Sequence, residues 1–183
     1  MLTVGDRLPA FDLLAVDQDS EHAPSPETAF KRLNQDSFPG KWKVLFFWPK
    51  DFTFVCPTEI KAYGELLEQL SDRNTQLIGA STDSEFAHLA WRRNHQELKG
   101  QSFPWLADIK HELAGALGII DRQEGVALRA TFIIDTRNVI RHVSVNDLSV
   151  GRNPQETLRL LDALLTEELC PCNWHKGEAT IHF

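Results

Sequence analysis

The sequence predicts an α/β protein: a central mixed β-sheet flanked by helices. One observation is that strand-like and helix-like stretches alternate through the middle of the chain, the signature of parallel strands joined by crossover helices. A second is that two late apolar runs, Ala130 to Asp135 and Val139 to Val145, are separated only by Thr136-Arg137-Asn138, which reads as a hairpin and adds antiparallel pairing. A third is size. With 183 residues, 42% of them hydrophobic, the chain can bury one core and is too short to expect two. Residues 1–183 therefore read as a single domain, with 166–183 as a C-terminal tail.

Each element has its own justification. Ala10 to Leu14 reads as an edge strand, with Pro9 where a strand start tolerates it. From Asp17 to Gly40 the composition turns polar, with Pro24, Pro26, Pro39 and Gly40, and only Ala29, Phe30 and Leu33 point to a short helix. This is a surface excursion. Val44 to Trp48 is an unbroken apolar run, β-branched and aromatic, as expected of a strand buried on both faces. After it, Ile60, Tyr63, Leu67 and Leu70 recur at helical spacing. Pro57 suits the first turn of that helix, where its missing N–H costs nothing, and Glu59 suits the positive end of the dipole. Gln76 to Ser81 is a second buried strand, and Asp83 or Ser84 then caps a helix carrying Phe86, Leu89 and Ala90. Gly100 to Asp108 reads as a loop around Pro104, and His111 to Leu117 as a short helix ending at Gly118. After the hairpin, Asn153-Pro154-Gln155-Glu156 opens the last helix with a cap, a first-position proline and an acid. Leu158, Leu161 and Leu165 turn its apolar stripe to the sheet.

Charge and cysteine content narrow the function. A formal net charge of −7 argues against nucleic acid or an anionic membrane surface as partner. Met1-Leu2-Thr3-Val4-Gly5-Asp6 lacks the basic segment and apolar core of a secretory signal, and no apolar run approaches membrane-spanning length, so a cytoplasmic location is expected. Three cysteines do not make a disulfide framework; they point to catalysis, redox sensing or metal.

Cys56 lies in Pro49-Lys50-Asp51-Phe52-Thr53-Phe54-Val55-Cys56-Pro57-Thr58-Glu59, where the central strand hands over to a helix. A thiolate is an anion, and unpaired N–H groups and the dipole at a helix start favour the charged form, so a cysteine there is expected to be reactive. The competing reading is a small buried hydrophobe, the usual fate of a free cysteine. The polar Thr53, Thr58 and Glu59 and the prolines on both sides argue against mere core filling.

Pro49-x-x-x-Thr53-x-x-Cys56 matches the active-site motif of the peroxiredoxins, and FFWPKDFTFVCPTEI resembles the typical two-cysteine group that includes the alkyl hydroperoxide reductases of the AhpC type. The resemblance implies a thioredoxin-like fold and a thiol peroxidase that reduces hydrogen peroxide and alkyl hydroperoxides. Cys56 is then the peroxidatic cysteine, in a site shared with Pro49 and Thr53. Ionisation alone falls short of fast chemistry: a free thiol near pKa 8.5 is about 3% thiolate at pH 7, so full ionisation gains roughly 30-fold, about 2 kcal/mol. The remainder requires alignment of the O–O bond and donors for the departing oxygen. Gly125-Val126-Ala127-Leu128-Arg129-Ala130-Thr131-Phe132 resembles the segment holding the family's arginine, which implies that role for Arg129; out of context, such an arginine is more often a surface residue. Glu59, otherwise a plain helix-dipole residue, is implied to hold Arg129 and Arg152, the latter in Val150-Gly151-Arg152. Trp91, in Phe86-x-His88-Leu89-Ala90-Trp91, matches a position near the site but reads equally as packing, and His88 reads as structural.

Cys170-Pro171-Cys172-Asn173-Trp174 lies in a polar tail, so its cysteines are not core filler. Either could trap a sulfenic acid formed at Cys56 as a disulfide. The family's Cys-Pro-x-x-Trp pattern selects Cys170 as the resolving cysteine, contributed in the family by the partner subunit of a dimer. The paired Cys170-x-Cys172 resembles an actinobacterial subgroup of the family, which implies for Cys172 the role of an auxiliary thiol in disulfide formation. A metal site from Cys170, Cys172 and His175 would lack a fourth ligand and has a shorter spacing than common zinc sites. Two features that the family ties to overoxidation are missing, since no Gly-Gly-Leu-Gly precedes Phe103-Pro104 and the chain stops at Ile181-His182-Phe183 without a further helix; the resemblance therefore implies resistance to overoxidation.

No flavin or nucleotide motif is present, so no cofactor is expected and an external dithiol must close the cycle. Thioredoxin, a flavin-dependent reductase or an alkylhydroperoxidase D-type adaptor are the implied donors, and a homodimer or ring of dimers the implied assembly. A general thiol–disulfide oxidoreductase would want a second cysteine where Glu59 stands. The non-enzyme alternative is an oligomeric redox-regulated chaperone or peroxide sensor.

Overall fold

In the computed structural model the described residues are 1–182, excluding the side chains of Pro26 and Glu27; Phe183, the last residue of the tail, lies outside them. In chain order the elements are β1 (Asp12–Val16), α1 (Pro26–Ala29), β2 (Lys31–Asn34), β3 (Trp42–Phe47), α2 (Cys56–Gly64), α3 (Leu67–Ser71), β4 (Thr75–Ser81), α4 (Glu85–Asn94), β5 (Trp105–Ala107), α5 (Glu112–Leu117), β6 (Arg129–Ile134), β7 (Ile140–Asn146) and α6 (Pro154–Thr166). The strands form one seven-stranded sheet in the order β2-β1-β5-β4-β3-β6-β7. Only β3–β4 and β4–β5 are parallel; the other neighbours are antiparallel.

The sheet separates two apolar layers, and the pleat of β3 shows how. Val44, Phe46 and Trp48 face a layer built with Ile60 and Tyr63 of α2, Leu70 of α3, Trp91 of α4 and Leu158 and Leu161 of α6. Leu45 and Phe47 face the other, covered by Leu113 and Leu117 of α5 and by Leu8. A strand with helices on both faces has to be apolar at every position, and that is why the Val44–Trp48 run does not alternate.

Several expectations need correction. The first strand is not an edge: β1 runs from Asp12 to Val16 between β2 and β5, and β2 takes the edge. The short helix stops at Ala29, and Leu33 belongs to β2, opposite Leu13. Lys31 and Arg32 hide that strand in the sequence because an edge strand tolerates, and is protected by, exposed charge. The Gly100 to Asp108 loop contains β5, whose three residues are too few for periodicity to reveal and which forms only because β1 and β4 flank it. The helix expected to run on to Leu70 breaks at Glu65–Leu66 into α2 and α3. In α4, Ser84 is the cap, accepting from the Ala87 N–H, but Phe86 and Ala90 are exposed while His88, Leu89, Trp91 and Arg92 are buried. Asn153 caps α6 as expected, accepting from the Gln155 N–H.

The 17–40 excursion is tied down by a buried ion pair. Arg92 donates from Nε to Glu21 (3.1 Å), from Nη1 to the Phe103 carbonyl (3.0 Å) and also to the Gln101 carbonyl, while Glu21 accepts from the Gly100 N–H. Among the described residues no helix is long and apolar enough to cross a membrane.

Candidate active site

Strand order assembles the site. β3 and β6 run antiparallel with Phe46 opposite Thr131, so Arg129 opens β6 at the end of β3 from which the chain leaves for Cys56. The hairpin returns β7 to place Asn146 opposite Arg129, and the next residues lead through Leu148 and Arg152 to the cap of α6. Cys56 is the first residue of α2 and Glu59 stands in its first turn. Residues some seventy and ninety positions apart therefore meet at one end of the sheet.

Arg129 joins them. Its Nη1 donates to Cys56 Sγ (3.5 Å) and to Glu59 Oε2 (2.6 Å), and its Nε donates to the Leu148 carbonyl (2.8 Å). Glu59 also accepts from Arg152, through the backbone N–H (3.0 Å) and Nε (2.8 Å) on Oε1 and Nη2 (3.0 Å) on Oε2. Nη1 of Arg152 is spent on the Ala130 carbonyl (2.7 Å) and Thr131 Oγ1 (3.3 Å), and its guanidinium lies over the rings of Phe46 and Tyr63. The three charged side chains are each at most 5% exposed.

Buried charges persist only when paired, so the balance matters. Two guanidinium groups and one carboxylate leave one excess positive charge. The sulfur of Cys56, 1% exposed and touching Arg129, is where one negative charge would balance the cluster.

A shallow pocket of about 240 Å³ opens onto the sulfur, lined by Pro49, Lys50, Thr53, Glu124, Val126 and Leu148 together with Cys56 and Arg129. The Thr53 hydroxyl donates to the Lys50 carbonyl (3.0 Å), which leaves its oxygen free to accept. At the rim Lys50 pairs with Glu124 (2.9 Å), an exposed contact of little energetic weight.

The structure thus brings together Pro49, Thr53, Cys56, Glu59, Arg129 and Arg152. Trp91 is buried in the layer behind, with the ring of Phe52 against it at a centroid distance of 5.8 Å. Cys170 stands apart. Its sulfur lies 3.4 Å from Thr166 Oγ1 and 3.7 Å from the Ala163 carbonyl, at the C-terminal end of α6, whereas Arg152 precedes the N-terminal end. The 13 residues of α6 span about 20 Å. Cys172 is exposed, and all three cysteines are free. The tail folds back on α6: Arg159 donates to the Trp174 carbonyl (2.8 Å), Trp174 is buried, and Leu169 bridges Ile181. Among the described residues no group of three or more His, Cys, Asp or Glu is arranged to hold a metal ion.

Sequence reasoning missed Leu148, whose only contribution to Arg129 is a backbone carbonyl that no side chain announces. It also missed the Lys50–Glu124 rim and the use made of Asp51, which lies inside the motif.

Comparisons with known proteins agree with this fold. Residues 4–143 match the model of the AhpC/TSA family. The chain is 50% identical to alkyl hydroperoxide reductase C of Mycolicibacterium smegmatis, over 100% of this chain and 94% of that one. The solved structure of Mycobacterium tuberculosis AhpC is similar with a TM-score of 0.87 at 50% identity, covering 96% of this chain and 99% of that one. Reduced 2-Cys peroxiredoxin of Plasmodium vivax is similar with a TM-score of 0.89 at 34% identity, covering 98% and 93%. With the motif at the head of α2, the arginine cluster behind it and the thioredoxin-like sheet that aligns them, the chain belongs to the AhpC/TSA family of peroxiredoxins.

Proposed function

We propose that this protein is a thiol peroxidase that reduces hydrogen peroxide and alkyl hydroperoxides through Cys56. The observation that carries the reading is the Arg129 bridge, a single guanidinium nitrogen within bonding distance of both Cys56 Sγ and Glu59.

The reaction follows from those contacts. The Cys56 thiolate attacks one peroxide oxygen; an S–O bond forms as the O–O bond breaks, and the second oxygen leaves as water or an alcohol after taking a proton. Arg129, fixed by Glu59 and Leu148, holds charge on sulfur and donates toward the peroxide, and needs no reorganisation as charge moves. Thr53, with its proton committed to the Lys50 carbonyl, accepts from the peroxide O–H. Pro49 and Val126 give the pocket its apolar wall.

The Cys56 sulfenic acid then condenses with the Cys170 thiol, releasing water and forming a disulfide. The length of α6 between the two thiols supports a Cys170 supplied by a second subunit of a homodimer, itself a unit of a ring of dimers. Residues 1–183 act as one domain, with 166–183 as the arm that carries Cys170, and Cys172 is an auxiliary thiol on that arm. A dithiol protein (thioredoxin, a flavin-dependent reductase or an alkylhydroperoxidase D-type adaptor) reopens the disulfide.

The test is stopped-flow reaction of the reduced protein with stoichiometric hydrogen peroxide, wild type beside Cys56→Ser and Cys170→Ser, with non-reducing mass analysis. Rapid peroxide loss that requires Cys56 and ends in an inter-subunit Cys56–Cys170 disulfide is expected. A wild-type rate no faster than that of a free thiol would overturn the proposal.

A further inference from the structure

Behind the Cys56 pocket lies a second buried charge pair that takes no part in the peroxide reaction itself. Asp51 belongs to the loop between β3 and α2, and His88 to the first turns of α4. His88 is fully buried, with Nδ1 2.7 Å from Asp51 Oδ2 and Nε2 3.1 Å from the Leu106 carbonyl. Both neighbours are acceptors, and only the imidazolium donates from both nitrogens. Burial pushes the His88 pKa down, but the Asp51 charge and both hydrogen bonds outweigh it, and the net direction is upward. The other charge facing the ring is Asp83, just before α4.

Further contacts grip the same stretch of loop. Trp48 Nε1 donates to Asp51 Oδ1 (2.7 Å), and the Asp51 N–H donates to Asp83 Oδ2 (2.8 Å), which also accepts from Ser81 Oγ (2.7 Å). The next residue, Phe52, has φ of 57°, left-handed backbone that a bulky non-glycine residue adopts only when its surroundings impose it. Its ring lies on Trp91 of α4. Beyond Phe52 come Thr53 and Cys56.

We propose that His88 is a positioning residue for the reaction: through its ion pair with Asp51 it clamps the loop to α4, keeps Phe52 left-handed, and so sets where Thr53 and Cys56 stand relative to Arg129. This rests on Cys56 being the attacking thiol. A rotation at Asp51 is carried through Phe52 to Thr53 and Cys56, whereas the groups that hold Arg129, Glu59 and the Leu148 carbonyl, lie outside that loop. Loss of the clamp therefore misaligns the site without dismantling it, and frees a sulfur that is otherwise buried.

The experiment uses the reduced protein and two probes of Cys56: hydrogen peroxide, whose reaction demands alignment of the O–O bond, and N-ethylmaleimide, whose reaction demands access and the thiolate but no such alignment. In Asp51→Asn and His88→Phe the peroxide rate constant is expected to fall about 100-fold, the scale of an ångström-sized misplacement. Alkylation of Cys56 is expected to accelerate in the same variants. His88→Gln, which keeps a donor toward Asp51, is expected to recover much of the peroxide rate. Asp51→Asn is nearly isosteric and serves if His88→Phe does not fold. Peroxide rates within about twofold of wild type would overturn the proposal, since the pair would then be mere packing. A parallel fall in both rates would overturn it too, because it signals loss of the nucleophile rather than of its placement. If wild type fails to consume peroxide, the peroxidase reading falls while the alkylation rates still judge the clamp.

Discussion

Replacing Glu59 by Gln tests the charge balance of the site with a minimal change of shape. The carboxylate accepts one hydrogen bond from Arg129 and three from Arg152, all between charged or buried groups. Glutamine keeps one acceptor oxygen, presents donors to the two guanidinium groups and removes the carboxylate charge that both of them share. Breaking a buried pair by removing one partner costs about 3–5 kcal/mol, because the remaining charge is left uncompensated. Glutamine retains part of the bonding, so a loss near 3 kcal/mol is expected, seen as a fall in Tm of about 6–12 °C for a chain of this size. Activity should fall further than stability implies, since Arg129 loses the contact that fixes Nη1 against Cys56 Sγ. Loss of one fixed donor to developing charge costs about 100-fold or more, so the rate constant with hydrogen peroxide should drop by that factor. Urea melts and stopped-flow at pH 7 read the two quantities separately. A variant within about 1 kcal/mol of wild type and with an unchanged rate would show that Glu59 is a helix-dipole residue and that the charge argument is wrong.

Further outcomes follow from other contacts. Tyr63→Phe removes a hydroxyl bonded to Thr131 Oγ1 (2.9 Å) and Thr157 Oγ1 (3.2 Å), tying α2 to β6 and α6. It should cost about 1–2 kcal/mol in urea melts and leave the peroxide rate unchanged, because the hydroxyl does not meet the sulfur. Cys170→Ser should consume one equivalent of peroxide and stop, with Cys56 oxidised and any disulfide seen by mass spectrometry running to Cys172; Cys172→Ser should still form the Cys56–Cys170 disulfide. At the β6–β7 turn, burial pushes the Asp135 carboxyl up, but the Val139 and Arg137 N–H groups and the Arg141 side chain outweigh it and hold the pKa below its ordinary 3.8. That stabilisation is fully present above pH 3.8 and lost as pH falls through the depressed value. The stability gap between wild type and Asp135→Asn should therefore be constant from neutral pH to about 4 and shrink below it, as followed by acid-titrated urea melts.

Local chemistry was legible wherever a residue announces its conformation. Pro57 and Pro154 marked helix starts, Asn153 and the Asp83-Ser84 pair marked caps, of which Asn153 and Ser84 accept backbone N–H groups, and the apolar run into Trp48 marked the central strand. Elements that exist only through their neighbours were not legible. β5 has three residues and is held by β1 and β4 on either side, and β2 presents the charges of a surface loop because an edge strand can. The same division runs through the site. Cys56 and Thr53 were readable because motif and helix start lie together in sequence. The polar face of α4 was not: His88 and Arg92 occupy positions where a periodicity argument looks for apolar residues, and each is tolerated because a carboxylate from another element, Asp51 or Glu21, meets it.

The sequence by itself determined the α/β architecture, the place of Cys56 at the head of a helix and, by resemblance, which arginines and which carboxylate belong with it. The tertiary structure decided how they meet. The antiparallel register of β3 and β6 sets Arg129 beside the sulfur, and the β6–β7 hairpin delivers the Leu148 carbonyl and Arg152. It also decided that Cys170 lies at the far end of α6 from that cluster. The physical reason is that propensity, capping and hydrophobic period act over a few residues and are written in them. Strand order, register and the pairing of buried charges are properties of contacts between distant segments, decided only when the whole sheet forms.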